Sequence, residues 1–299
     1  MTMFENVLVG VDGRSGGRDA VALAAQLLAP HGRVTLAHVL QGELNPVHAI
    51  TPKLVGAEHT SSTQLLERER AAGGVEAELL SIVALSPGRA LHEQAERQGA
   101  DLLVVGSCSR GAFGRATLGD DTRGALDGAP CAVAIAARGF AENPAAIARI
   151  GVAYNGSLES EAALAAARTL AGARNASIRA LEVVSLPIYG VGLFSMPIVD
   201  SIDEVLEEAN LRLSSLQGVQ AHAIYGLVAG EELAAFGNEL DLLIVGSRSY
   251  GPVKRLVLGS TSDYLERHAR CSLLVLPREP ASDAESHDER SAGKELAGV

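Results

Sequence analysis

Short runs of Val, Ile and Leu alternate with longer Ala-rich stretches along most of the chain. Continuous apolar runs are typical of strands buried on both faces, and apolar residues three and four apart are typical of helices. This alternation predicts right-handed βαβ units and a parallel sheet covered by helices. We expect strands at about 6–11, 33–39, 77–84, 102–106 and 131–136, and again at about 148–154, 177–184, 219–225, 241–246 and 271–276.

The second half of the chain repeats the pattern of the first. Residues 101–107 read Asp-Leu-Leu-Val-Val-Gly-Ser, and residues 241–247 read Asp-Leu-Leu-Ile-Val-Gly-Ser. Two further pairs keep the same offset: Leu118-Gly119 with Leu258-Gly259, and Cys131 with Cys271. The repeat predicts an α/β protein of two tandem, doubly wound, five-stranded parallel-sheet domains of Rossmann-like type. We place them at 1–138 and 147–277, with a linker at about 139–146 and a disordered tail at 278–299.

The predicted helices carry recognisable start and stop signals. Ser157 is a favourable N-cap, and Gly172 is a favourable residue just after a helix end. Ser86 precedes Pro87, and proline favours the first helical position. Residues 201–216 show one apolar stripe with an acidic face opposite, which indicates a helix with a solvated side.

Two stretches, 41–55 and 185–199, fit no regular element, and each follows the second strand of its half. Both should therefore overhang the carboxyl edge of a sheet, where open α/β sheets bind ligands. The second stretch is apolar, and we interpret it as a packing surface rather than a lid, because exposed apolar loops are uncommon.

Composition and charge narrow the class of function. The net charge of −11 disfavours a nucleic-acid partner, which needs clustered Lys and Arg. No apolar run reaches the length of a membrane span, and the amino terminus does not read as a signal peptide. The three cysteines are an odd number, and Cys131 and Cys271 open apolar runs, so we expect buried thiols and a cytoplasmic location.

The segment after the fourth strand of each half is a candidate anion site. The strand ends in Gly-Ser, and a second Gly, separated from the first by twelve residues, opens an amphipathic stretch. A helix that begins there would direct free N–H groups and its dipole at an anion. In the second half Ser260 follows this Gly, and its hydroxyl can add a further hydrogen bond. The candidate binding residues of that half are Asn155, Gly246, Ser247, Arg248, Ser249, Gly259, Ser260 and Thr261.

The first half differs at the same positions. Its candidate residues are Asp12, Gly106 and Gly119, but Asp120 and Asp121 follow the second Gly. A carboxylate there would repel phosphate and compete for the same N–H groups, so we expect the first copy to bind phosphate poorly. At the end of its first strand, Asp12 could accept hydrogen bonds from a nucleoside, and the second half has Asn155 there, whose carbonyl accepts without a charge. Replacing a carboxylate near a neutral nucleoside should cost less binding than adding one near a triphosphate, so the second half is the better candidate site.

Both halves resemble the universal stress protein domain, and the chain resembles a tandem UspA-like member of that family. The family's nucleotide-binding branch carries Gly, two residues, Gly, nine residues, Gly, and then Ser or Thr. Gly246, Gly259 and Ser260 match the outer spacing, while Ser249 and, in the first half, Ser109 replace the middle glycine. The resemblance covers about 1–137 and 147–277.

The resemblance implies a fold like that of the adenine nucleotide alpha hydrolases, with ATP held together with Mg²⁺ that is carried by the phosphates. The family's early Asp corresponds to Asp12 and Asn155. The resemblance also implies dimerisation through the fifth strand, so residues 131–136 could pair with 271–276 within one chain, or a homodimer could form.

Three hypotheses of function follow. The first is a nucleotide-sensing stress protein whose second half binds ATP or a related adenine nucleotide. The second is an ATP-free module that acts through protein partners, which Ser109, Ser249, Asp120 and Asn155 favour. The third is an adenylating or ATP-hydrolysing enzyme, for which we assign no catalytic residue and at most weak ATPase activity, since fold alone does not carry function.

Overall fold

The structure is a computed structural model that describes residues 4–41, 52–107, 124–125, 127–142, 146–185, 198–247, 256 and 259–278. Its strands lie close to the predicted positions in both halves, and most of the apolar runs are buried within the sheet. The strands are β1 (Phe4–Gly10), β2 (Leu28–Gln41), β3 (Glu78–Ala84), β4 (Leu102–Gly106), β5 (Ala132–Ala136), β6 (Arg149–Ala153), β7 (Ser177–Val184), β8 (Gln220–Tyr225), β9 (Leu242–Gly246) and β10 (Ser272–Leu276).

Within these ranges seven helices cover the two faces of the sheet. They are α1 (Ser15–Leu27), α2 (Pro52–Gly73), α3 (Pro87–Gln98), α4 (Leu158–Arg174), α5 (Ile198–Ser214), α6 (Ala229–Gly237) and α7 (Ser260–His268). Helices α1, α2, α4 and α5 pack in one apolar cluster, and α3, α6 and α7 pack in the other. Each cluster contains residues from both halves, so the two domains share their cores. No helix in the described ranges is long and apolar enough to cross a membrane.

All ten strands form one sheet in the order β3-β2-β1-β4-β5-β10-β9-β6-β7-β8. The strands of each half are parallel, as predicted. The halves meet where β5 and β10 pair antiparallel, with Ala134 opposite Leu274. The intramolecular pairing of the two fifth strands, which the family resemblance implied, is therefore present in the fold. Each half reproduces the other about this central pair.

Several helix signals behave as predicted. The side chain of Ser157 accepts a hydrogen bond from Ser160 N at the start of α4, and Ser86 is the N-cap residue before Pro87 of α3. The predicted helix at 201–216 is α5, on which Ala209 and Leu213 are buried. Its acidic face is exposed.

Three boundary predictions are wrong. Gly172 lies inside α4, which continues to Asn175 because Asn175 adopts the left-handed conformation (φ 53°) and donates to Ala171 O. The stretches 41–55 and 185–199 are not wholly irregular, since α2 begins at Pro52 and α5 at Ile198. Between those points, residues 42–51 and 186–197 lie outside the described part of the chain. Of the predicted tail, Arg278 lies against Glu159, and residues 279–299 lie outside that part.

The position of Gly172 leads to a stability prediction. An added Cβ there would meet nothing within 4 Å, and glycine inside a helix costs about 0.5–1 kcal/mol relative to alanine. Gly172→Ala should therefore raise the free energy of unfolding by about 0.5 kcal/mol and the Tm by about 1–2 °C. A lower Tm in differential scanning calorimetry would contradict this.

The first residue of the repeated segment, Asp101 in one half and Asp241 in the other, has a structural role at the amino ends of the strands. The candidate site is at their carboxyl ends. Asp101 accepts hydrogen bonds from Glu5 N (2.7 Å) and Asn6 N (3.0 Å). Asp241 accepts in the same way from Ala148 N (3.0 Å) and Arg149 N (2.8 Å). In both halves this carboxylate joins the start of the fourth strand to the start of the first.

The lowered pKa of Asp241 predicts that the stability of the fold depends on pH. Its burial opposes ionisation, but hydrogen bonds from the Arg149 guanidinium and from the N–H groups of Ala148 and Arg149 outweigh it and hold the pKa of Asp241 below its usual value. A lowered pKa stabilises the fold above the unfolded-state pKa of about 3.9, and that stability is lost as the pH falls through the folded-state pKa.

We therefore expect Asp241→Asn to lose about 1 kcal/mol at pH 7, with the difference from wild type closing as the pH falls below about 4. Urea unfolding at several pH values measures both variants, and Asp203→Asn on the exposed face of α5 is the control. A difference that persists unchanged at low pH would contradict the assignment.

Candidate functional site

The candidate site lies at the carboxyl ends of β6 and β9, where the strand order of the second half reverses. From β6 one crossover leads outward to β7 and β8, while β9 and β10 lie on the other side. At such a point the two crossover connections lead in opposite directions, and a crevice lies between them at the carboxyl ends of the strands. Here it forms a cavity of about 510 Å³ that reaches from β7 to the start of α7.

The cavity has an apolar end and a hydroxyl-rich end, a combination typical of small-molecule sites. Its apolar lining comes from β6, β7, β9 and α6: Ala153, Leu181, Val183, Ala229, Leu233 and Val245. Hydroxyl groups come from the starts of α4 and α7 and the end of β9: Ser157, Ser160, Ser247, Ser260, Thr261 and Ser262. Tyr154, Asn155, Glu159, Gly246 and Gly259 complete it. Six of the eight residues predicted for the second half, Asn155, Gly246, Ser247, Gly259, Ser260 and Thr261, thus line one cavity.

Ser247 lines the cavity, and its buried hydroxyl group has no hydrogen-bond partner. Its N–H donates to Leu276 O at 2.9 Å, which fixes the residue just beyond β9. The residue is 4 % exposed, and its Oγ has no hydrogen-bond partner. A buried hydroxyl without a partner costs about 1–3 kcal/mol.

Gly246 is needed because helix α4 approaches β9 closely. A Cβ at Gly246 would lie 2.6 Å from Glu159 Cβ and 2.9 Å from Glu159 O. The first half repeats this contact, since a Cβ at Gly106 would lie 2.0 Å from Gly16 O. The Gly in the repeated segment therefore lets the first helix of each half start directly against the end of the fourth strand.

The start of α7 supplies main-chain donors. The first N–H groups of a helix have no intrahelical partner, and the N-cap residue Gly259 has no side chain to accept from them. Ser260, Thr261 and Ser262 occupy this first turn, beside the Ser247 hydroxyl. Together they present N–H and O–H donors to one end of the cavity, which suits an anion.

Asn155 and Asp12 hold equivalent turns at the carboxyl ends of β6 and β1. Asn155 Oδ1 accepts from Ser157 N at 3.1 Å, and Asp12 Oδ1 accepts from Arg14 N at 3.0 Å. The side-chain oxygen of Asn155, which we expected to accept from a nucleoside, is therefore engaged by its own turn. Its amide N–H₂ remains as the donor that distinguishes the second half from the first.

Two lining residues, Glu159 and Tyr154, were missed by the sequence reasoning. The Glu159 side chain is 11 % exposed, and its Oε1 lies 3.8 Å from Arg278 Nε. Tyr154 donates to Glu161, and burial first, then this hydrogen bond, raises the pKa of Tyr154 to about 12. The tyrosine is therefore neutral at physiological pH. The repeat aligns Glu159 of the second half with Gly16 of the first. This difference, a carboxylate side chain where the other copy has glycine, is the signal that could have identified Glu159 from the sequence.

The remaining predicted residues are only partly described. Arg248 and Ser249 of the second half, and Gly119 with Asp120 and Asp121 of the first, lie outside the described ranges, as do Lys254 and Arg255. Gly106 ends β4, and Ser107 Oγ is buried without a hydrogen-bond partner, as Ser247 Oγ is. Asp12, by contrast, is exposed.

Cysteine and metal chemistry have no support in the described part of the chain. Cys131 and Cys271 are buried next to β5 and β10, as predicted, and burial raises the pKa of each thiol to about 12. Such thiols are protonated and unreactive at neutral pH. The described residues hold no cluster of three His, Cys, Asp or Glu that could bind a metal ion.

Comparisons with known proteins agree with the two-domain organisation. A sequence model of the universal stress protein family matches residues 3–137 and 147–277. A universal stress protein from Archaeoglobus fulgidus is similar over 91 % of this chain and 98 % of its own, with 18 % identity and a TM-score of 0.61. A functionally unknown protein from Pseudomonas aeruginosa is similar over 98 % of both chains, with 16 % identity and a TM-score of 0.64.

A third similar structure is a universal stress protein in complex with cAMP. It has 28 % identity and a TM-score of 0.27, and the match covers 38 % of this chain and 79 % of that one. The family match covers both halves, and the two longer structural matches support the same α/β fold.

Proposed function

The chain belongs to the universal stress protein family, and from that premise we propose that its second half binds an adenine nucleotide, ATP or a close relative. Binding would serve as a signal rather than as the start of a reaction. The carrying observation is the cavity at the carboxyl ends of β6 and β9, which Asn155, Gly246 and Ser247 line together with the first turn of α7.

The polar end of the cavity suits phosphates. Backbone N–H groups at the start of α7 and the hydroxyls of Ser247 and Ser260 can surround phosphate oxygens, as at other helix N-termini. Gly246 lets α4 start directly against the end of β9, and Ser157 and Ser160 at that start line the cavity. The basic residues Arg248, Lys254 and Arg255 belong to the segment between β9 and α7, so they are available in sequence to neutralise further charge.

The apolar end suits the base and ribose. Leu181, Val183 and Leu233 present aliphatic surface that a flat base can cover. The Asn155 amide, whose oxygen already caps its own turn, offers a donor to a ring nitrogen or a ribose oxygen. A neutral donor at this position fits a nucleoside, which carries no charge.

Mg²⁺ would arrive with the phosphates rather than be held by a protein cluster. It usually keeps several waters and is bound through one or two carboxylates together with substrate phosphates. Glu159 is the acidic residue among those that line the cavity, and Arg278 partly balances its charge. We therefore propose that the Glu159 carboxylate faces the Mg²⁺ ion of a bound magnesium–nucleotide complex.

The second half is proposed as the working site and the first as its structural partner. The first half carries Asp120 and Asp121 where the second carries Ser260 and Thr261. A carboxylate at that position would occupy the N–H groups that a phosphate needs. We expect the protein to act in the cytoplasm as a sensor whose occupancy alters contacts with protein partners.

The test is nucleotide content and binding. Protein purified without added nucleotide is denatured, the supernatant is chromatographed, and the native protein is titrated with Mg-ATP by calorimetry. About one adenine nucleotide per chain, or one binding event per chain, is the expected result. No nucleotide and no binding heat would overturn the proposal and favour an ATP-free member that acts through protein partners.

A further inference from the structure

We infer that the first half of the chain positions the candidate anion site of the second: the main chain of Gly128 and Ala129 holds Leu256 and so positions the start of α7. The inference rests on the proposed function, because it concerns how that nucleotide site is kept in shape. It gives the degenerate first copy a specific role in binding.

The contact is a pair of main-chain hydrogen bonds between the halves. Gly128 N donates to Leu256 O at 2.9 Å, and Leu256 N donates to Ala129 O at 2.9 Å. Both hydrogen-bonding groups of Leu256 are thereby fixed by the first half.

Leu256 is also fixed by its side chain. It is fully buried, in the apolar cluster that contains Ala125 and Ala129 from the first half and Val245 and Leu265 from the second. Three residues later Gly259 caps α7, and the cavity begins there. Three residues of chain span at most about 11 Å, so the fixed position of Leu256 limits where the start of α7 can lie.

The segment that holds Leu256 is itself anchored to α3 of the first half. His92 Nε2 donates to Ala125 O at 2.7 Å. A Cβ at Gly88 would lie 2.4 Å from the carbonyl carbon of Gly124, so α3 packs directly against this backbone. The start of α7 is therefore tied, through Leu256, to the rigid body of the first domain.

The first experiment measures hydrogen exchange in the full-length wild-type protein with and without Mg-ATP. An amide that exchanges only when the bound site opens can be protected up to about 100-fold at a ligand concentration of about 100 Kd. We expect the Gly128 amide, which lies in the other half and lines no part of the cavity, to slow about tenfold or more together with that of Leu256. The control amide is Gly139, which donates to Asp19 in the first half at 3.0 Å.

The second experiment compares Gly128→Pro with Gly128→Ala in the full chain. Gly128 has φ +84°, which alanine adopts only with strain and proline cannot adopt, and proline also removes the N–H that Leu256 O accepts. We expect Gly128→Pro to bind Mg-ATP about tenfold more weakly than Gly128→Ala, as loss of a well-positioned hydrogen bond predicts. Adenosine, which has no phosphate to contact α7, should bind the two variants equally.

The outcomes separate this inference from the proposed function. Wild-type protein that binds no nucleotide overturns both. Wild-type protein that binds Mg-ATP without slowing exchange at Gly128 overturns only the inference, and so does an equal loss of Mg-ATP and adenosine binding in Gly128→Pro. If Gly128→Pro does not fold, the hydrogen-exchange measurement on the wild type alone decides whether the inference holds.

Discussion

Ser260→Asp should lose Mg-ATP affinity by about 100-fold or more. The new carboxylate would stand in the first turn of α7, where the hydroxyl of Ser260 now lines the cavity. Two negative charges about 4 Å apart near a protein surface repel by about 4 kcal/mol, and 1.4 kcal/mol is tenfold in affinity. The carboxylate would also accept from the N–H groups that a phosphate needs. Calorimetric titration with Mg-ATP measures the loss.

The matched control is Ser260→Asn, which has nearly the size of Asp without its charge. It should bind within about tenfold of wild type, because only a hydroxyl hydrogen bond is replaced. Asp120→Asn, at the corresponding position of the first half, should leave binding unchanged if the second half holds the working site. Equal affinity of Ser260→Asp and wild type would show that phosphate binds elsewhere.

Gly246→Ala should destabilise the protein by about 2 kcal/mol, because the new methyl group would overlap with the start of α4. Its Cβ would fall 2.6 Å from Glu159 Cβ and 2.9 Å from a backbone oxygen, which cannot move without shifting the helix. Since Ser157, Glu159 and Ser160 all line the cavity, that shift should also weaken Mg-ATP binding by about tenfold or more. Urea unfolding and calorimetry measure the two effects separately.

Gly172→Ala is the control for this variant, since it makes the same chemical change in α4 where an added Cβ meets open space. It should leave Mg-ATP affinity unchanged. If Gly246→Ala proved as stable as wild type, the close approach of α4 to β9 would be wrong. If it lost stability yet kept full affinity, the cavity would not be the nucleotide site.

Much of the fold follows from local pattern. Most strands contain a run of Val, Ile, Leu or Ala that the sheet buries, so the strands lie within a few residues of their predicted positions. Helix ends are less certain, because several residues can end a helix. At α4 the left-handed Asn175 serves as the C-cap, and Gly172, which the sequence favours equally well, stays inside the helix.

The candidate site is also partly visible in the sequence. Gly246, Ser247, Gly259 and Ser260 could be singled out because the repeat keeps their spacing and because glycine and serine at a helix start suit an anion. They do line one cavity with Asn155. The repeat also exposes the asymmetry between the halves, since it aligns Ser260 with Asp120.

The sequence by itself therefore determined the tandem α/β fold and the residues at the strand ends, because periodicity is a local property and the repeat is visible when the two halves are compared. The family followed from the resemblance of residues and motif spacing to known members. The tertiary structure alone decided what approaches those residues from distant parts of the chain. It placed Glu159 against Gly246, left the Ser247 hydroxyl buried without a partner, and joined Leu256 to Gly128 and Ala129 of the other half. Contacts of this kind depend on how packed elements meet, and the spacing of residues within one element does not record that.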